Sequence, residues 1–227
     1  MAKNNLYNSL IEIGLEDFLK KRGGGNIIEE KWTVNLDSYV STFSDNQKGI
    51  LKNKIEKKKN ETHSQHNDIF HEISIACAFY NNINFLEENN NVSTPDFRSD
   101  NTNVEVKTIN NSNTEKERLH ELDKGPRCEI YKYDENLTEN FRSSSIQAII
   151  KKFKDHVEKA KKQLGEDGGH IWVVYAADSP PNFHEDKNLR LEIENNFDET
   201  IKKLPNKNGL CIRYIHFGDL RDKIEIR

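Results

Sequence analysis

Two hydrophobic periods alternate along this chain. Some segments place apolar residues at helical spacing, and others place them at every second position or continuously. Residues 5–20 carry Leu6, Leu10, Ile13 and Phe18 as a helical stripe that stops at Gly23-Gly24-Gly25. Residues 36–58 predict a second helix, fading into a lysine-rich run. Residues 64–81 predict a strong helix, 83–86 a short strand, and 94–98 with 103–108 a pair of strands. Residues 110–142 are polar and irregular, with a turn at Gly125-Pro126. The best helical pattern spans 143–164, with Ile146, Ile149, Ile150, Phe153, Val157, Ala160 and Leu164 on one stripe. Ser143, Ser144 or Ser145 is positioned to cap it. The segment HIWVVYAA at 170–177 is apolar on both faces, as a central strand requires. A helix over 187–203 and a strand over 209–217 complete the pattern. The expected organisation is an N-terminal helical region over 1–60 and an α/β domain over 61–227.

Charge and composition narrow the classes. The chain has 227 residues, 32% of them charged, and a net charge of −4. An acidic balance argues against nucleic-acid binding, because phosphate contacts need Lys and Arg. The charge is uneven, however. Lysines crowd 57–59 and 151–162, while acids crowd 192–199, which leaves room for a locally basic face. The three cysteines, Cys77, Cys128 and Cys211, are widely spaced, which fits a reducing compartment and excludes a Cys-rich zinc module. No apolar run has the length of a membrane span, and MAKNNLYNSL lacks a signal core. A cytoplasmic protein with no membrane partner is the expectation.

The chemistry concentrates in STPDFRSDNTNVEVKT, Ser93 to Thr108. In a strand, successive side chains face opposite ways. Val104 and Val106 can therefore enter a core while Glu105 and Lys107 stand together on the other face. Asp96 lies across the turn on the paired strand. Two carboxylates and an amine at one place suit a divalent metal and phosphodiester hydrolysis. The pattern alone is weak, and the chain contains decoys: Asp45 precedes Glu56-Lys57, and Asp17 precedes Glu29-Glu30-Lys31. The first sits in a lysine-rich segment that reads as a solvated face, and neither has valines alternating around it. An exposed hairpin carrying a surface ion pair is the plain alternative for residues 104–107.

The preceding helix strengthens the case. With Ile69 at zero, Ile73, Ala76 and Tyr80 fall within about 40°, and Glu72 lands at about −60°, inside the apolar arc. A carboxylate there is costly unless it is paired or bound to metal. Glu72 is therefore selected as a further acidic member, whereas His71 is expected on the polar side. A structural zinc site at His63 and His66 lacks a completing ligand set. Gly23-Gly24-Gly25 lacks the following Gly-Lys-Ser/Thr of a phosphate loop. On the 143–164 helix, Gln147 lies in the first turn, near the expected strand ends.

Glu72 on a helix, Pro95-Asp96, Glu105-Val106-Lys107, a helix with Gln147 and then an apolar strand together resemble the PD-(D/E)XK nuclease superfamily. The resemblance covers about residues 64–177 and omits the N-terminal region, residues 110–142 and the C-terminal part. It implies a restriction-endonuclease-like αβββαβ core: a mixed central sheet flanked by helices, here with an N-terminal helical extension. It implies that Asp96, Glu105 and the Val106 carbonyl hold Mg²⁺, with Mn²⁺ able to substitute. Glu72 would join them directly or through water. Lys107 would orient or help deprotonate the attacking water, and Gln147 matches a polar position beside the site in some branches. The implied activity is endonucleolytic cleavage of double-stranded DNA in restriction or phage defence, and a homodimer would pair two such sites. An RNA nuclease and a catalytically inactive nucleic-acid-binding or assembly module of the same fold remain the alternatives.

Overall fold

The structure, a computed structural model, describes residues 7–22, 29–58, 63–87, 94–109, 135–175, 187–204 and 209–226. Side chains at 21–22, 58, 63–67, 135–145, 187 and 189 fall outside that description. Five N-terminal helices come first: α1 (Asn8–Glu12), α2 (Glu16–Arg22), α3 (Lys31–Ser41), α4 (Asp45–Lys58) and α5 (His63–Phe79). Strands β1 (Ile83–Phe85), β2 (Phe97–Ser99) and β3 (Thr102–Ile109) follow. Next come α6 (Glu135–Leu164), β4 (Gly169–Tyr175), α7 (Lys187–Lys203), β5 (Leu210–His216) and α8 (Phe217–Glu225).

The strands form one sheet in the order β1-β2-β3-β4-β5. β1, β2 and β3 pair antiparallel, and β3, β4 and β5 pair parallel. Parallel neighbours need a long crossover, and α6 and α7 lie in those two crossovers. Both helices pack on one face of the sheet, where Ile146, Phe153, Val157 and Phe197 meet Ile109, Ile171, Val173 and Tyr175. The opposite face carries Val104, Val106, Trp172 and Val174 against α1 to α5 and α8. This is an α/β architecture with a mixed five-strand sheet between two helical layers. β4 is buried on both faces, as its continuous apolar run dictates.

The N-terminal helices share this second core. Leu36, Val40, Leu51 and Ile55 are all fully buried in it beside Ile69, Phe70 and Ile73 of α5. Two expected helices are each broken in two. The 5–20 stripe divides at Gly14, whose φ of +100° no ordinary helical residue adopts. The 36–58 segment divides at 42–44, where Thr42 Oγ1 donates to the Tyr39 carbonyl and Ser44 Oγ accepts from the Gln47 amide. Those local bonds satisfy groups that a continuous helix would bond through its own ladder. α6 begins at Glu135, so Ser143, Ser144 and Ser145 lie inside the helix rather than at its cap. Of the expected irregular segment 110–142, residues 110–134 lie outside the described residues. α8 was not foreseen: it is short, and only Leu220 and Ile224 are buried from it.

α5 is locked to β4 at its C-terminal end. Trp172 Nε1 donates to the Tyr80 hydroxyl at 2.8 Å, and that hydroxyl lies 2.7 Å from His170 Nδ1. Phe79 stacks on Trp172 with ring centroids 4.4 Å apart. Among the described residues, no helix is long and apolar enough to cross a membrane.

Gly169 opens β4 where it must pass β3. Its φ is +137°, and a Cβ there would lie 2.3 Å from the Asn103 carbonyl oxygen. Neither backbone can move without breaking the β3–β4 register. Gly169→Ala is therefore expected to cost about 2 kcal/mol or more, read as a lowered urea midpoint at unchanged slope. A midpoint equal to that of the unaltered protein would contradict the close approach.

Candidate active site

The site starts with a charge on each of two helices. Glu72 lies in the apolar arc of α5, and Lys54 lies among Ile50, Leu51 and Ile55 of α4; both side chains are only 3% exposed. Lys54 Nζ donates to Glu72 Oε2 at 3.0 Å. It also donates to the Asp96 carbonyl at 3.2 Å and lies 3.8 Å from Asp96 Oδ1. Removing one partner of such a buried pair typically costs about 3–5 kcal/mol, because the other charge is left uncompensated.

Asp96 stands where β2 and β3 part. Its backbone amide donates to the Val104 carbonyl at 3.1 Å, and Phe97 pairs with Val104. One step further along β3, no β2 residue faces Val106. The Asp96 carboxylate takes that place, and Oδ2 accepts the Val106 amide at 2.7 Å. The amide and carbonyl of one strand residue project to the same edge. The Val106 carbonyl therefore opens toward the gap beside Asp96 rather than into the β4 ladder.

Glu105 and Lys107 occupy the other face of β3, as alternation requires. Glu105 is 0% exposed, yet it is a carboxylate. Lys107 Nζ donates to its Oε1. Its Oε2 is buried without a hydrogen-bond partner among the described residues. Burial, then the nearby Asp96 charge, raises the Glu105 pKa to about 8, although Lys107 pulls the other way. Burial alone would lower the Lys107 pKa, but Asp96 and Glu105 outweigh it and the net shift is upward. Lys107 is 20% exposed, so this corner reaches solvent.

From α6, His156 completes the surroundings. Burial, then Lys107, then Lys159 and Lys152 depress its pKa to about 4, so the ring is neutral at physiological pH. Its Nδ1 is buried without a hydrogen-bond partner among the described residues.

The fold thus gathers Glu72, Asp96, Val106, Glu105 and Lys107 around the point where β2 and β3 separate. Gln147 is exposed on α6, nine residues from His156 or about 13 Å along the helix. His71 corrects its expectation: it is buried, not on a polar side, with Nδ1 3.0 Å from Thr108 Oγ1 and its ring against Phe217 at 4.8 Å. The unforeseen α8 supplies that aromatic cover. The side chains of His63 and His66 lie outside the described residues. Among the described residues, no three His, Cys, Asp or Glu side chains are gathered closely enough to form a metal set by themselves.

Lys54 and His156 went unread in the sequence. Lys54 had a signal, because it shares a helical arc with Ile50, Leu51 and Ile55. A cation in an apolar stripe is as anomalous as Glu72 in the next one. The crowding lysines of 48–59 hid it as one member of a solvated face. His156 flanks the Phe153-Val157-Ala160 stripe, but nothing local distinguishes it from an edge residue.

The Glu105 shift carries a stability consequence. Its ordinary carboxyl value is 4.5 and its folded value about 8. Between those values the folded protein holds a proton that the unfolded chain has released. Metal-free stability from this group is therefore complete below the lower value and is lost as pH rises through the upper one. In EDTA, the melting temperature of the unaltered protein is expected to fall relative to that of Glu105→Gln between about pH 5 and pH 8. Calorimetry of both proteins checks this, and a constant difference between them would refute it. No known family model, no curated protein and no solved structure matches this chain.

Proposed function

We propose that this protein is a Mg²⁺-dependent nuclease acting on DNA. The observation that carries the reading is Glu105, a fully buried carboxylate with an oxygen unpartnered among the described residues, held beside Asp96 and Lys107. Structural carboxylates are buried with their partners complete. An orphaned oxygen next to a second acid suits a site completed by a cation. The donors at the gap are all oxygens: the Asp96 and Glu105 carboxylates and the Val106 carbonyl. That set fits Mg²⁺, which prefers oxygen ligands and keeps several waters.

When bound, the ion would lower the pKa of water and offset charge on the phosphate. The chain's own groups do the rest. Asp96 keeps its carboxylate at the gap because the Val106 amide fixes Oδ2. Lys107, held protonated by Asp96 and Glu105, places a positive charge where negative charge would develop on a phosphodiester. In that state it orients the attacking water rather than removing its proton. Lys152 and Lys159, close enough to depress His156, add positive field on the solvent side of the same corner. The overall acidity of the chain therefore does not oppose a phosphate partner at this face. The order of one helix, three antiparallel strands, a helix and a parallel strand also accords with the restriction-endonuclease-like core that the sequence resemblance implies.

The test is cleavage of supercoiled plasmid with Mg²⁺ or Mn²⁺. Nicking or linearisation is expected, lost in EDTA and slowed about 10²–10³-fold in Lys107→Ala. Single-stranded RNA in parallel separates an RNA nuclease from a DNA nuclease. Equal cleavage by both proteins, or none by either on any substrate, would remove the proposal.

A further inference from the structure

We infer that Lys54 permanently occupies one cation position of this site, so that Glu72 is its counter-ion rather than a metal ligand and the pocket takes a single divalent ion. The inference rests on the metal-dependent reading above and goes beyond it, because the resemblance had placed Glu72 among the metal ligands.

Three observations lead to it. First, the Lys54 ammonium touches two acids and a backbone carbonyl at once: Glu72 Oε2, the Asp96 carbonyl and, at 3.8 Å, Asp96 Oδ1. A carbonyl and carboxylate oxygens are the donors a hard metal ion would take, and here an ammonium takes them. Second, the lysine stem cannot swing away cheaply. Leu51 and Ile55, its neighbours on α4, are fully buried in the core. Withdrawing Lys54 would break its ion pair with the buried Glu72. Third, an oxygen of Glu105 is buried without a hydrogen-bond partner among the described residues, on the opposite side of β3 from α5. Asp96 bears on Glu105 more strongly than Glu72 does, so the gap beside Asp96 and the Val106 carbonyl is the place for a divalent ion, while Glu72 is engaged by Lys54.

Charge points the same way. Once the ion displaces the Glu105 proton, three carboxylates, two ammoniums and one divalent ion sum to one net positive charge, suited to a phosphodiester anion. A second ion would pile further positive charge beside two fixed lysines. Lys54 thus balances the charge of Glu72 and stands where a second ion would otherwise sit.

Mn²⁺ binding, followed by the electron paramagnetic resonance signal of the free ion, tests this without relying on activity. The unaltered protein is expected to bind one ion per chain. In Lys54→Met/Glu72→Gln both charges vanish together, the net charge of the pocket is unchanged, and neutral groups of similar size fill the space. That variant is expected to bind one Mn²⁺ with an affinity within about threefold, while Asp96→Asn and Glu105→Gln lose about a hundredfold. Two ions per unaltered chain, or a double variant as impaired as Asp96→Asn, would overturn the role of Lys54 while leaving a metal site in place. The count on the unaltered chain stands even if the double variant does not fold. No Mn²⁺ bound by the unaltered protein would overturn both this inference and the nuclease proposal.

Discussion

A carboxylate that water cannot reach, in the middle of a sheet, constrains everything near it. Glu105 has no exposure, and the parallel neighbour β4 covers one side of its strand. Burial disfavours its charge, and two nearby acids disfavour it further. Such a group persists in a folded chain only when the surroundings supply compensation or when a function maintains it. Lys107 supplies part of that compensation and a proton supplies the rest at neutral pH. An incoming cation would supply it without the proton.

The strands create the geometry for this. β2 pairs with β3 only as far as Phe97 and Val104, and then the two diverge. The Asp96 carboxylate caps the exposed β3 edge by accepting the Val106 amide. A regular ladder would have paired that amide with backbone and left no gap. The divergence is thus both a local failure of pairing and the source of the site. On the other side of Asp96, Lys54 bonds the carbonyl of the same residue and ties it to Glu72. Asp96 is held by its backbone from the α4 side and by its side chain from the β3 side. A residue fixed at both ends loses little freedom on receiving a ligand, which is what preorganisation requires.

The helical layers divide the labour. α5 and the N-terminal helices bury Val104 and Val106 and deliver Glu72 and Lys54. α6 covers the other face and brings His156 and a lysine-rich surface to the Glu105 side. The N-terminal helices accordingly do more than extend the fold. Without α4, Glu72 would lose the lysine that donates to it at 3.0 Å.

Periodicity made most of the frame legible. The alternation around Val104 and Val106, the double-sided apolar run of β4 and the stripe of α6 each state which surface must leave water, and burial follows directly. The Asp96, Glu105 and Lys107 grouping was legible for the same reason, since it needs only strand alternation and one turn. Helix breaks at Gly14 and at 42–44 were less visible, because a left-handed glycine in the first and local hydroxyl bonds in the second compete with a continuous ladder by small energies. His71 was misjudged because its partners, Thr108 and Phe217, are distant in sequence, and no helical wheel shows what covers a face. The pairing of Lys54 with Glu72 lay beyond any local pattern. Each looks like an isolated defect in its own helix, and only the packing of α4 on α5 turns two costly charges into one satisfied pair. The sequence by itself determined which residues are anomalous. The tertiary structure decided which anomalies cancel, and it left an oxygen of Glu105 buried without a partner among the described residues, because Coulomb energy depends on distance in space and not on separation along the chain.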